Sequence, residues 1–189
     1  MDIQSLSGGF ENAPVQSAHA FRTALNVLSR PGTIMELRGA NAPAPVSEAA
    51  ATLLLTLCDP ETPLYLADTH DTKEVRDWIA FHIGAPLVGR AHAHFALGTW
   101  EALSPINTFP IGTPEYPDRS TTLIAELDEL NEHGASLTGP GIKDRAHLGL
   151  PEIDAFQMNA CLFPLGLDFY FTAGTRVAAL PRSTKVEAD

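Results

Sequence analysis

At 189 residues the chain has the length of one domain and can bury a sizeable hydrophobic core. Apolar residues make up 44% and charged residues 19%, a balance that excludes an intrinsically disordered chain. Twelve basic residues against 23 acidic ones give a net charge of −11, which excludes a nucleic-acid footprint built on a Lys/Arg stripe and opposes any general attraction for anionic metabolites.

Residues 1–13 read as a loosely held N-terminal arm with Phe10 as an anchor. Pro14 opens a helix whose apolar stripe runs through Val15, Ala18, Phe21, Leu25 and Leu28, at spacings of three and four. Ser29-Arg30-Pro31-Gly32 stops it, because the residue before proline is pushed out of the helical region. An alternating run over 33–38 reads as a strand, and Ser47 caps an apolar helix that ends at Asp59-Pro60. A second strand falls at 63–67. A helix capped by Asp71 or Thr72 follows through Val75, Trp78, Ile79 and His82, and a third strand covers 93–97. Residues 98–119, rich in Pro and Thr, form a long loop with one short helical possibility near Glu101. Strands at 120–126 and 134–138, a loop at 143–150 and a helix opened by Pro151 lead to a closing hairpin, 169–172 and 176–180. The residues from 185 to 189 read as a polar tail. Strands alternating with helices predict a single α/β domain over 1–189, with a mixed sheet of about seven strands flanked by helices.

Nothing in the first residues resembles a basic segment followed by an apolar one, and no run approaches a membrane span, so the expected location is the cytoplasm with no membrane contact. Cys58 and Cys161, without CxxC spacing, read as buried free thiols.

The common loops of phosphate and nucleophile chemistry, GxxxxGK[ST], GxGxxG and GxSxG, are absent. His92 and His94 share one face of the expected strand at metal-ligand spacing. No third ligand stands near them, so no metal is assigned. His82 reads as a hydrogen-bonded core residue, and His19, His70, His133 and His147 as surface or loop residues. The acidic run Glu126, Asp128, Glu129 and Glu132 reads as a solvated face, and Asp59, Glu61, Asp68 and Asp71 as caps and turns. Lysine is scarce, with Lys73, Lys143 and Lys185 only, and none stands where a Schiff-base lysine would be buried. No catalytic residue and no cofactor are therefore assigned.

The remaining candidates for ligand binding or for an interface are Arg22, Arg30, Thr138, Gly139, Gly141, Asp168, Arg182 and Thr184. Three arginines stand at structural stops or turns, where guanidinium forks suit phosphate, phosphonate or carboxylate oxygens, and they are equally suited to internal pairing, for instance with Asp168. Thr138-Gly-Pro-Gly141 reads as a tight turn before it reads as an anion nest.

Several phrases, in order and spacing, resemble the H subunit of bacterial carbon–phosphorus lyase (PhnH). They are Phe10, Pro14-Val-Gln-Ser-Ala-His-Ala-Phe-Arg22, Leu28-Ser-Arg-Pro-Gly32, Leu53-Leu-Leu-Thr-Leu57 with Asp59, and Thr62-Pro63. Leu137-Thr-Gly-Pro-Gly-Ile142, Phe163-Pro-Leu-Gly-Leu-Asp168 and Pro181-Arg-Ser-Thr184 continue the pattern over nearly the whole chain.

The resemblance implies a fold like the large domain of pyridoxal phosphate-dependent transferases, without the cofactor lysine. It implies a homodimer that also joins a core complex with the G, I and J subunits. That complex, active under phosphate starvation, forms ribose 1-phosphonate 5-triphosphate from ATP and alkylphosphonate, and its J subunit then cleaves the C–P bond by iron–sulfur radical chemistry. This chain has no three-cysteine cluster motif for that step. The family offers no agreed catalytic residue in this subunit to carry over. The leading expectation is a non-catalytic or substrate-positioning subunit. The alternatives are a stand-alone transferase using Arg22, Arg30, Asp168, Arg182 and the Thr138–Gly141 turn, and a binding module that keeps a phosphate site without chemistry. Self-association is expected through the 98–119 loop and an open edge at the closing hairpin.

Overall fold

Strands buried on both faces read as continuous apolar runs, and four such runs form the parallel centre of a sheet in the computed structural model, which describes residues 7–188. In chain order the elements are α1 (Ala13–Ser29), β1 (Met35–Glu36), α2 (Glu48–Leu57), β2 (Leu64–Leu66), α3 (Lys73–His82), β3 (Phe95–Thr99) and α4 (Trp100–Leu103). They continue with β4 (Thr122–Glu126), β5 (Ala135–Thr138), β6 (Ala146–Leu148), α5 (Ile153–Ala160), β7 (Asp168–Ala173), β8 (Arg176–Leu180) and β9 (Lys185–Glu187).

The main sheet has the order β1-β8-β7-β4-β3-β2. β2, β3, β4 and β7 run parallel, with Leu66 beside Leu97, Leu97 beside Ile124, and Ile124 beside Tyr170. β8 returns antiparallel to β7 through the Gly174 turn, and β1 pairs antiparallel with β8. A second sheet, β6-β5-β9, is antiparallel throughout.

Because side chains alternate along a strand, the main sheet divides the interior into two cores. On one face Leu64, Leu97, Ile124, Tyr170 and Val177 pack under α1, α2 and α3. On the other, Leu123, Phe169, Phe171 and Leu180 pack against α4, α5 and the small sheet. The second core is aromatic: Phe156 meets Trp100, Phe169 and Phe171 at centroid separations of 4.8, 5.0 and 5.6 Å. Each such pair adds about 0.5–1.5 kcal/mol beyond the area it buries.

Three expectations change. One sheet of about seven strands is expected, and nine strands in two sheets are present among the described residues. The two extra strands fall in the expected 143–150 loop and in the expected polar tail. Each is three residues long, too short to show a period, and each exists because β5 offers it a backbone edge. In the tail, Val186 is buried against the second core.

The closing hairpin is not an open edge either, since β4 covers one side of it and β1 the other. The 98–119 segment holds α4 and a 3-10 turn at Ile106–Thr108. Of the N-terminal arm, residues 1–6 lie outside the described residues. The rest is tied down: the Gly8 carbonyl accepts from Asn41 N at 2.8 Å, and Phe10 packs on the first core. Among the described residues no helix is long and apolar enough to cross a membrane.

Candidate functional site

The short connection before β7 and the one after β8 bring Asp168 and Arg182 together at the amino end of β7. The Asp168 carboxylate accepts from Arg182 N at 2.8 Å, from Nε at 3.2 Å and from Nη2 at 2.5 Å. The same guanidinium donates through Nη1 to the Pro117 carbonyl at 2.7 Å, and through Nη2 to Ser120 Oγ. Every nitrogen of that side chain is therefore committed, and the group ties the end of the 98–119 segment to the hairpin. Its fork is turned inward and is not presented to a ligand.

Thr138, Gly139, Gly141 and Thr184 meet the end of α1 at a second junction. Gly141 has φ +81°, and a Cβ there would lie 1.9 Å from the Ser29 carbonyl oxygen. Gly139, at φ +135°, faces the Ser183 carbonyl and Thr184 in the same way. Glycine is needed here for close backbone packing and for a φ that side chains resist. Thr184 is buried, and Lys185 beside it pairs with Thr138 across β5 and β9. The turn thus locks α1 to the small sheet. Arg30 lies exposed beside it and Arg22 lies exposed two turns earlier, and neither makes an ion pair among the described residues.

Sequence reasoning missed a third constellation at the carboxyl ends of the parallel strands, where α/β sheets commonly place ligands. His70 is not a surface residue. It is only 1% exposed, and its Nε2 lies 3.0 Å from Glu126 Oε2. Glu126 is not part of a solvated run, because its other oxygen accepts from Ser47 N at 2.7 Å, at the N-cap of α2. An ionised carboxylate can only accept, which places a proton on Nε2 of His70. The pair joins three segments: the turn after β2, the end of β4 and the start of α2. Thr172, register partner of Glu126 on β7, is buried there with an unpaired hydroxyl. The one local signal was Glu126 standing at the end of a strand and not in a helix face.

His92 ends a 3-10 turn and His94 precedes β3, so they do not share a strand face. Among the described residues, no three His, Cys, Asp or Glu converge on a metal position. His82 is half-buried, with Nε2 3.2 Å from the Ser7 carbonyl. Lys73, Lys143 and Lys185 are all exposed.

Asp59 accepts from Thr62 Oγ1 and from Glu61 N, which holds its carboxyl below the usual range. Cys58 is half-buried and its thiol is pushed up to about 12, first by burial and then by the nearby Asp59. Cys161 is exposed, contrary to the expectation of two buried thiols, because α5 ends just before it.

The largest departure concerns α1. Its buried face is Ala20, Ala24 and Val27, not the expected stripe. Ala18 is exposed, and Val15, Phe21 and Leu25 are 51, 52 and 53% exposed. Small alanines let the helix lie close against α2 and β8. Tyr170 Oη donates to the Ala24 carbonyl at 3.4 Å from below. The large apolar residues are left facing outward.

These features define a mixed α/β protein whose arginine–carboxylate and histidine–carboxylate pairs hold its own segments together, and whose first helix presents an apolar face to solvent. The chain belongs to the family described as bacterial phosphonate metabolism protein (PhnH), whose model matches residues 8–187. It is 40% identical over 196 residues to the alpha-D-ribose 1-methylphosphonate 5-triphosphate synthase subunit PhnH of Rhizobium meliloti (strain 1021), covering 98% of each chain. It is 29% identical over 187 residues to the putative C-P lyase subunit protein HtxG of Stutzerimonas stutzeri, covering 92% of this chain and 87% of that one.

Proposed function

We propose that this chain is a subunit of a carbon–phosphorus lyase complex, required for making a ribose 1-phosphonate 5-triphosphate during phosphonate breakdown, and that it contributes position and not reacting groups. The observation that carries this reading is the near-complete match to a triphosphate synthase subunit, on a chain whose half-buried Asp168–Arg182 and His70–Glu126 pairs are committed internally. A group already held by internal partners is poorly placed to form an adduct or cradle a triphosphate, and the lysines are exposed instead of buried. The fold is read as a relative of the large domain of pyridoxal phosphate-dependent transferases, without that cofactor.

The partners are the G, I and J subunits together with a second copy of the chain, in the cytoplasm of a phosphate-starved cell. Asp168, Arg182, Thr138, Gly139, Gly141 and Thr184 keep the surface in shape, and Arg22 and Arg30 are the contact residues. Reconstitution tests this. The isolated chain is expected to turn over no methylphosphonate with ATP, while leaving it out abolishes triphosphate formation by the assembled complex. Turnover by the purified chain alone, or full activity without it, refutes the reading.

A further inference from the structure

Pro14, Ala18, Phe21, Leu25 and Leu28 follow one another at steps of four, three, four and three, the spacing of a seam between two packed helices. All but Leu28 are exposed. The seam runs most of the length of α1, which spans 17 residues, about 26 Å. Its charge is distinctive. Between Glu11 and Glu36 the chain carries no Asp or Glu, yet it carries His19, Arg22 and Arg30, all exposed, in a protein of net charge −11. The face is therefore apolar and cationic on an acidic molecule. Exposed apolar patches of this kind mark contact surfaces.

The same charge pattern decides what covers it. In an antiparallel two-fold pair of α1 helices centred on Phe21, each Arg22 would lie beside its own copy, and like charges set together repel. This chain does own an apolar surface free of cations. Met158, Leu162 and Phe163 are exposed at the end of α5, and no Lys, Arg or His occurs between His147 and Arg176. That surface lies on the opposite face of the main sheet from α1. Joining α1 of one copy to α5 of the next is a head-to-tail contact, which builds rings or open strings and not a two-fold pair.

We propose that the outward face of α1 docks an apolar helical surface of a different subunit, one that sets carboxylates opposite Arg22 and Arg30. The proposal rests on the subunit reading above. The seam supplies the buried area, and the cations set register and steer association, a role that weakens as salt rises.

The test titrates the chain onto an immobilised assembly of the complex's other subunits, expressed without it. Phe21→Asp and Leu25→Asp together are expected to weaken binding at least about 100-fold, as loss of central apolar anchors does. Arg22→Glu is expected to weaken it about tenfold and to flatten the salt dependence seen for the wild type. These side chains face solvent, so melting temperatures should stay within about 2 °C of wild type. If all variants bind like the wild type, the docking face is elsewhere, while membership of the complex stands. If the wild type itself does not bind, the subunit reading falls and takes the docking face with it. If sedimentation shows the isolated chain forming a dimer that Phe21→Asp dissociates, a second copy covers this face and the assignment is overturned.

Discussion

Replacing Asp168 by Ala isolates the Arg182–Asp168 clamp, an internal pairing that the sequence offered beside a ligand-binding role. The substitution removes the carboxylate that accepts from Arg182 N and from its guanidinium, and leaves the Pro117 carbonyl and Ser120 Oγ as neutral acceptors. Breaking a fully buried ion pair from one side costs about 3–5 kcal/mol. The Arg182 side chain is 12% exposed and that of Asp168 is 23% exposed, so water reaches part of the site and screens it. With that discount, and two acceptors retained, the expected loss is about 2–3 kcal/mol. For a chain of this size, that lowers the melting temperature by about 5–10 °C.

Asp168→Asn keeps an acceptor for the Arg182 backbone and should cost about half as much. A cycle with Arg182→Met separates pairing from packing: in that background Asp168→Ala should cost less than about 1 kcal/mol. The clamp also holds the end of the 98–119 segment, so trypsin should cut after the exposed Arg119 faster in Asp168→Ala. The measurements are thermal or urea unfolding of the wild type, the three single variants and the double variant, with a tryptic time course. A strictly additive cycle, or a loss below about 0.5 kcal/mol, shows that the carboxylate is not holding Arg182 in place and frees both residues for a ligand role.

Gly141→Ala should lower stability by at least about 1–3 kcal/mol, since it combines positive φ with a Cβ set against the Ser29 carbonyl, and urea unfolding reads it directly. At mildly alkaline pH, a thiol reagent should modify the exposed Cys161 quickly and leave Cys58, held up to about 12, unreacted until the chain unfolds; equal rates refute the assignment. Burial, and then the nearby Asp168, pushes Tyr170 up to about 12 from 10.0. A raised folded value favours the neutral form, so its contribution is complete below pH 10 and is lost as pH climbs toward 12. Tyr170→Phe should flatten that alkaline decline in a series of melts, and an unchanged slope counts against the burial argument.

The sequence made legible what depends on local periodicity and punctuation. The seven expected strands, the start of α2 at Ser47 and the stop at Pro31-Gly32 each have a local cause in the alternation, apolar run or punctuation around them, and each overlaps the span expected for it. β6 and β9 have no local cause. Three residues such as Ala146–Leu148 carry no period, and they become strand only because β5 stands beside them. His70 and Glu126 were unreadable for a related reason: 56 positions separate them, and nothing near either residue announces the other. Arg182 was visible as an arginine at a turn. Whether its fork pointed inward or outward depended on Pro117 and Ser120, in a segment that reads only as a long loop.

The inverted α1 joins fold to function. Its periodicity was correct, and the inference from periodicity to core was what failed, because an apolar stripe says that a face is covered without saying by what. Here the chain covers the alanine face itself, with Ala20, Ala24 and Val27 against α2 and β8. The larger Phe21 and Leu25 are left for something outside. Packing a helix by its small residues and exposing its large ones gives up burial of about 1.5–3 kcal/mol per large side chain. A protein that lives alone gains nothing from such an arrangement. One that completes its surface by association recovers that burial in the complex, with Arg22 and Arg30 placed to select which partner is allowed to supply it.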